Sequence, residues 1–521
     1  MFRFGAADGP ALAVIAGGLI LDTGEAERTF LYRCQDRFLA YTGMLGWPSL
    51  FLALDDAHVE VYRHAIRDLR IRLARISDRT GLFAKALREP LFLAVDLETL
   101  AVKSTRRLRQ QVAVEPPPAA IALNQISPTY AKLIDAVARV FAQLGHAVDY
   151  QAEAAHAMAD LAMAAQAKDG DVAFVAKHCS NVPLHVPTLV VDSAGFDGLA
   201  TYADVAAALA RATGAEEPAA VFVKTARNTT GNLTLRATSA TWPAAHDALR
   251  KAMAFDALQD PNDLERHVED LAGEIALAPT LRGAKISRER MRMLKRLQAA
   301  HRDGFGILLQ PEVAPPTDGS FAGLGFSFSI DAAGVARPFA INGQLYRDST
   351  RKHFLGAYMG PEVDSLIPET LLTKATALAR WHGVRGYRGP INFDARRNRE
   401  GQIVFIHDCN PRLTGVFPTL AVGEALRRQG FTPHRLLTLG YRGEFVWPNL
   451  DCAIETLDAR GALFTASHPR GAVILPNLAR DHGYDVHLLD VEPAEAARWI
   501  APGGAIGATN PGPAAPACIF L

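Results

Sequence analysis

Five cysteines in 521 residues (Cys34, Cys179, Cys409, Cys452 and Cys518) form no CxxC pair and no disulfide-like spacing. That excludes a disulfide scaffold and a zinc-type Cys/His motif, and it fits free thiols in a reducing cytoplasm. Charge of one sign is not in excess either, because Lys plus Arg and Asp plus Glu balance at 55 each. Nothing therefore points to a nucleic-acid partner, and no polybasic run points to a membrane surface. No apolar run reaches the ~18 residues of a membrane span. The run 11–21 follows a single positive charge, Arg3, with Asp8 before it and a poor cleavage site, Asp22-Thr-Gly, after it. It reads as a buried first strand and not as a signal peptide. No Ser/His/Asp order argues for nucleophilic catalysis, and Gly323-Leu-Gly-Phe-Ser is too irregular for a dinucleotide fingerprint. Internal repeats are absent.

What is there reads as an α/β protein of two to four domains with a large core. Apolar strand-like runs at 12–21, 50–54 and 91–95 alternate with helical ones at 26–45 and 59–74, as in an open α/β layer. Pro116-Pro-Pro is a stiff connection, and a helix is predicted over 128–144 with Gly145 as its stop. From about 171 the pattern changes. Strands are predicted at 172–175, 189–192, 219–224, 233–238 and 305–313, with a helix at 202–213 and a mostly helical, charged stretch at 243–301. Paired strands at 323–330 and 336–344 follow, joined at Asp331-Ala-Ala-Gly, and then a helix over 368–383. After Gly440 come two or three short strands and a helix, and a Gly-, Ala- and Pro-rich tail at 502–517 reads as disordered.

Residues 386–415 carry the most chemistry. Two strand-like runs, 390–394 and 402–408, flank the turn-rich segment 396–401, and each ends in an acid, Asp394 and Asp408. Asn410 follows by two and falls on the same side of an extended chain as Asp408. Cys409, between them, is turned away by the same alternation. A hairpin gathers two carboxylates and a carboxamide oxygen at one end, hard ligands of the kind Mg²⁺ uses beside nucleotide phosphates. Arg412 lies just beyond, with a guanidinium fork suited to phosphate or carboxylate. Taken alone, the segment is also compatible with a surface hairpin of solvated Asp and Asn turn residues. Upstream, Lys224 ends an apolar strand directly before a loop of small and polar residues that includes Thr230 and Gly231. A fixed cation beside backbone N–H groups that can be approached closely is what a phosphate cradle needs. A hairpin with a solvated Lys is the bland alternative.

The segment 386–415 resembles the C-terminal metal-binding part of the ATP-grasp superfamily, where a strand ending in Asp or Glu is followed by Glu-x-Asn running into Asn-Pro-Arg. Asp408 stands where that pattern has Glu, one methylene shorter. Lys224 and its loop resemble the family's Val-Val-Lys strand and small-residue lid, with one glycine where many relatives have two or three. Ile307-Leu-Leu-Gln-Pro-Glu-Val resembles the hinge between the two lobes, where backbone groups bind adenine. Gln310 takes the usual Glu place, with Glu312 and Val313 beyond it. The resemblance further implies an earlier phosphate lysine at Lys177 and ribose contacts from Asp318 or Glu312. It implies a basic residue toward the γ-phosphate or substrate among Arg347, Arg351, Lys352 and His353. Arg288, Arg290, Arg292, Lys295 and Arg296 crowd one helix in a stretch longer than the family norm; a solvated face is the default reading.

The resemblance spans about 170–425. It implies an α/β pre-ATP-grasp domain at 1–170, an ATP-grasp domain at 171–440, a small C-terminal domain at 441–501 and the tail at 502–521. The implied activity is ATP- and Mg²⁺-dependent carboxylate–amine ligation through an acyl phosphate, with Mn²⁺ compatible. Arg412 and Arg388 would hold the reacting carboxylate. The implied partners are a small-molecule carboxylate and an amine, an amino acid or peptide as in stand-alone peptide ligases of secondary metabolism. A homodimer in the cytoplasm is compatible. Two rival classes remain, a phosphotransferase using the same grasp and a catalytically inactive nucleotide- or partner-binding relative.

Overall fold

The computed structural model describes residues 11–14, 41–42, 44–45, 49–53, 55–81, 89–95, 102–114, 120–123, 128–146, 152–178, 185–214, 216–225, 234–253, 306–317, 321–346, 354–439, 449–476, 484–500 and 506. Among them lie three sheets, and the fold is α/β. The first sheet has the order β4-β3-β2-β1-β5. It is built from β1 (Ala11–Val14), β2 (Ser49–Ala53), β3 (Leu91–Val95), β4 (Val102–Ser104) and β5 (Ala120–Leu123). β5, β1, β2 and β3 run parallel and β4 joins antiparallel. All five residues of β2 are buried, as expected of a strand covered on both faces. The helices Asp56–Thr80, Arg106–Val114 and Pro128–Gln143 connect and cover these strands.

The second sheet is antiparallel, in the order β6-β9-β7-β8, from β6 (Leu189–Val191), β7 (Ala220–Thr225), β8 (Thr234–Thr238) and β9 (Ile307–Pro311). The helix Tyr202–Thr213 packs on it. A reciprocal Thr201–Asp204 capping box starts that helix, and Gly214, at φ 68°, ends it in the left-handed region that glycine adopts without cost. Trp242 is the anchor of this lobe, fully buried, with Nε1 donating to the Leu199 carbonyl at 2.9 Å.

The third sheet has eight antiparallel strands in the order β14-β13-β10-β11-β12-β15-β17-β16. They are β10 (Gly323–Ile330), β11 (Ala336–Tyr346), β12 (Phe354–Met359), β13 (Gly389–Arg397), β14 (Ile403–Asn410), β15 (Leu436–Leu439), β16 (Gly471–Pro476) and β17 (Tyr484–Leu489). The sheet runs without a break across residue 440, since β15 pairs with β17 from Leu436↔Leu489 to Leu439↔Val486. A largest core cluster joins this sheet to the first one through Tyr41, Phe51 and Phe92 on one side and Phe326, Phe393 and Phe405 on the other.

One predicted strand is a helix. Residues 172–175 lie inside the helix Lys168–His178, which has Asp169 and Asp171 in its first turn and Lys177 and His178 in its last. Those charges complement the helix dipole, and four apolar residues were too few to show a period. The segments 243–301, past Met253, and 502–521, apart from Ile506, lie outside the described residues. No helix among those described is long and apolar enough to cross a membrane.

Candidate active site

The hairpin β13–β14 forms as its alternation predicts, but its register shifts once. Phe393 faces Cys409 while Ala395 faces Phe405, so four residues of β14 span two of β13. The extra residues bulge at 406–408, and His407 sits at φ 50°, unusual for a side chain with a Cβ. The bulge aims Asp408 and leaves the Ile406 carbonyl outside the ladder. That carbonyl accepts from Lys224 Nζ at 3.4 Å and from Gln310 Nε2 at 3.2 Å, both of which arrive from the second sheet. The backbone of residues 185–186 adds itself to the outer edge of β14, with Val186 N donating to the Phe405 carbonyl at 2.8 Å. The two sheets therefore meet at the bulge.

On the inner face of the hairpin, Asn410 Nδ2 approaches Asp394 Oδ2 at 3.5 Å, and Gln344 Nε2 donates to Asp394 Oδ1 at 2.8 Å. Lys168 Nζ reaches Asp408 Oδ1 at 3.8 Å from the start of its helix. Arg396 lies two residues beyond Asp394 on the same face. It donates to the Gln344 carboxamide oxygen at 3.1 Å and to the Tyr346 hydroxyl at 2.8 Å, with its guanidinium 5.0 Å from the Tyr346 ring centre. These side chains cross a strand that offers no bulk there. A Cβ on Gly323 would lie 2.4 Å from Arg396 and 2.9 Å from Gln344 Oε1, and one on Gly325 2.6 Å from Asn342 Oδ1. The two glycines thus form the floor on which the polar side chains converge.

Electrostatics follows from burial. Desolvation raises the Asp394 carboxyl to about 7, reinforced by the Asp408 charge and opposed by Arg396, the Gln344 hydrogen bond and Arg412. Desolvation lowers the Lys224 ammonium to about 8, opposed by Asp408 and reinforced by Lys168 and Arg396. Two acids that repel each other fit a divalent cation of the Mg²⁺ type, which would relieve the repulsion; the Asn410 carboxamide, whose nitrogen is turned toward Asp394, would present its oxygen to such an ion by an amide flip.

Asp394, Asp408, Asn410, Lys224 and Gln310 are thus brought together, and Arg412 is close enough for its charge to act on Asp394. Gln310 does so through its side chain, which also donates to Thr188 Oγ1 at 2.9 Å. Other predicted site residues are placed elsewhere. Lys177 is exposed in the last turn of its helix, and it is the buried Lys168, nine residues earlier, that meets Asp408. Arg388 precedes β13. There it donates to the carbonyls of Ala332 at 2.9 Å, Gly383 at 2.6 Å and Tyr387 at 2.7 Å, and so ties the β10–β11 turn to the preceding helix. The Glu312 carboxylate is engaged by Arg236 at 2.8 and 2.7 Å, and its N–H donates to the Ala220 carbonyl at 2.9 Å. Val313 is half-buried beyond it. Thr230, Gly231, Asp318, Arg347, Arg351, Lys352 and His353 lie outside the described residues.

Sequence reasoning missed Lys168, Arg396, Gln344 and Tyr346. Alternation along β13 from Asp394 would have found Arg396, and alternation along β11 pairs Gln344 with Tyr346. Lys168 left no such signal.

No protein-family model matches the chain, and no curated protein matches it. Solved structures do match over most of its length. One is N5-carboxyaminoimidazole synthetase from Staphylococcus aureus complexed with ADP, with 9% identity, 95% of this chain, 97% of that chain and a TM-score of 0.42. A second is N5-carboxyaminoimidazole synthase from Aspergillus clavatus with ADP and the aminoimidazole ribonucleotide, with 12% identity, 94% of this chain, 95% of that chain and a TM-score of 0.43. A third is the biotin carboxylase–β-γ-ATP complex from Campylobacter jejuni, with 11% identity, 95% of this chain, 91% of that chain and a TM-score of 0.46.

Proposed function

We propose that this chain is an ATP-grasp enzyme that joins a small-molecule carboxylate to an amine at the expense of ATP. The observation that carries the reading is the convergence of Lys224, from the second sheet, with Asp394, Asp408 and Asn410, from the third, at the β14 bulge. A cation from one lobe facing an oxygen-ligand set from the other is the arrangement that nucleotide phosphates with a divalent ion require. Asp394, Asp408 and Asn410 are the residues that would hold Mg²⁺, which supplies charge neutralisation on the phosphates when bound. Lys224 would hold a phosphate by a charge-assisted hydrogen bond, and Lys168 would fix the Asp408 carboxylate. Arg412 would hold the reacting carboxylate and the oxyanion charge that develops on it. Arg396 would keep Gln344 oriented toward Asp394. No protein nucleophile is needed, because the carboxylate oxygen attacks the γ-phosphorus, ADP leaves, and the amine then displaces phosphate from the acyl phosphate. Amino acids or peptides are the substrate class we favour, on the resemblance of the segment 386–415 alone.

The test offers a panel of carboxylates and amines with MgATP and identifies products by mass spectrometry. An amide with ADP and phosphate is the expected outcome. With the carboxylate alone, hydroxylamine should trap a hydroxamate, and ¹⁸O from the carboxylate should appear in the released phosphate. A stable phosphorylated product would instead make the enzyme a phosphotransferase, and nucleotide binding without turnover of any substrate would make it a binding protein.

A further inference from the structure

The face of β14 turned away from Asp408 and Asn410 carries Cys409, and around that thiol the core holds ligand chemistry of a different kind. Asp171, His382 and Cys409 are each 3% exposed. They come from three elements far apart in the chain: the helix Lys168–His178, the helix Glu369–Val384 and β14. One donor atom of each lies within 4.8 Å of the other two. Asp171 Oδ1 and His382 Nε2 are both fully buried and have no hydrogen-bond partner. Buried polar atoms are almost always satisfied, so two unpartnered atoms on two members of one cluster of ligand residues point to ligand chemistry there. Rings close the place to bulk solvent, with Phe174 4.6 Å and Phe393 5.8 Å from the His382 ring, centre to centre.

A second trio, Asp171 with His185 and His407, also lies within 4.8 Å. Its atoms are already used. His407 Nδ1 donates to Asp171 Oδ2 at 2.8 Å, and the His407 ring is stacked on His185 at 4.6 Å and 28°. The His407 hydrogen bond fixes the Asp171 carboxylate through Oδ2 and leaves Oδ1 without a hydrogen bond, as an outer partner that orients a metal-binding carboxylate would.

We propose that Asp171, His382 and Cys409 bind one buried ion of the zinc class. A carboxylate, an imidazole and a thiol together suit a borderline-soft cation and do not suit Mg²⁺, which takes oxygen ligands. Three protein donors leave one tetrahedral position for an enclosed water. Binding converts the Cys409 thiol to thiolate, and its proton goes to solvent. The ion ties two helices to the strand that carries Asp408, from the side opposite the nucleotide site. The proposal does not rest on the ligase reading, because its ligands lie on the other face of β14.

The experiment uses the full chain, reduced and stripped with a chelator, then titrated with Co²⁺ in excess Mg²⁺ so that the oxygen site is occupied. A near-ultraviolet thiolate-to-cobalt absorption should grow to one equivalent per chain and be bleached by Zn²⁺. Cys409→Ser should abolish it, whereas Cys452→Ser and Asp408→Asn should retain it. His407→Gln should weaken the ion's affinity by about 10–100-fold, the usual effect of losing such a partner. Should Cys409→Ser fail to fold, alkylation of the wild-type chain decides: Zn²⁺ should protect Cys409 against iodoacetamide in mild denaturant, read by peptide mass spectrometry. Absence of the thiolate band in the wild type, its survival in Cys409→Ser, its loss in Asp408→Asn, or failure of Zn²⁺ to protect Cys409 would each overturn the proposal.

Discussion

The side chains of Lys224 and Gln310 donate to one acceptor, the Ile406 carbonyl, at 3.4 and 3.2 Å. Two neighbouring strands of the second sheet are thereby pinned to a single peptide of the third. The acceptor is available only because the bulge takes it out of the β13–β14 ladder. A nucleotide phosphate offered to Lys224 competes with a neutral carbonyl at the long end of hydrogen-bond range, so little is lost when the ammonium changes partner.

Lys224→Ala should weaken binding of a non-hydrolysable ATP analogue with Mg²⁺ by about tenfold to a hundredfold. A hydrogen bond to a charged group contributes roughly 1.5–3 kcal/mol. Calorimetry measures it, and an unchanged dissociation constant would remove Lys224 from the phosphate site.

The same lysine gives binding a pH dependence. Burial holds its ammonium near 8 in the free protein, and an adjacent phosphate favours the charged form. Nucleotide binding should therefore take up a proton above pH 8, with affinity falling by up to about tenfold per pH unit beyond it. Calorimetry in buffers of different ionisation enthalpy counts that proton. Lys224→Arg, which stays charged, should flatten the slope.

Asp408→Asn and Asn410→Ala should each reduce ATP turnover by about 10²–10³-fold, the scale seen when one preorganised polar group is removed from a reacting centre. The fold should survive, since neither residue belongs to the apolar core. ADP release beside a thermal melt separates the two effects, and near-wild-type turnover in both variants would end the metal-site assignment.

Asp394 sets a second pH signature. Its folded pKa of about 7 lies above the ordinary carboxyl value of 3.8. In the metal-free protein it contributes stability that is fully present below about pH 3.8 and lost as pH rises through 7. The difference in melting temperature between wild type and Asp394→Asn should change with that sign across pH 4–8. Mg²⁺ affinity should move the opposite way and fall as pH drops below 7, because proton and cation compete for one carboxylate. A pH-independent difference would mean that Asp394 is not held as described.

Gly325→Ala should lower stability by about 1–3 kcal/mol, the usual cost of overpacking. Its new Cβ would lie 2.6 Å from Asn342 Oδ1 and 3.2 Å from Asn392 Nδ2. A melt checks this, and an unperturbed transition would show that the floor can give way.

The β13–β14 hairpin was legible because two alternating runs flank a turn-rich segment, and alternation also turned Cys409 away from Asp408 and Asn410. The strand Ile307–Pro311 and the β10–β11 pair were legible as apolar runs bounded by turn residues. What escaped the sequence has physical causes. Alternation assumes a regular ladder, and it cannot announce the bulge at 406–408 or the left-handed backbone of His407. Lys168 and Asp171 sit on a helix whose apolar residues show no one-sided period, so neither its structure nor its facing could be read. Arg388 looked well placed in the chain, but it precedes β13, six residues before Asp394, and its guanidinium is taken up by backbone carbonyls of the β10–β11 turn and the preceding helix. The trio of Asp171, His382 and Cys409 has no spacing at all, because tertiary packing alone assembles it.

The continuity of the large sheet across residue 440 bears on how this chain can be cut. A shortened version ending there would keep every proposed ligand yet strip β17 and β16 from β15. Leu436-Leu-Thr-Leu, buried at all four positions, would become a bare sheet edge. An exposed apolar edge of that kind is a template for pairing with another chain. Such a fragment should come out of cells as insoluble aggregate, and the C-terminal strands are best regarded as the protein's built-in solubility device.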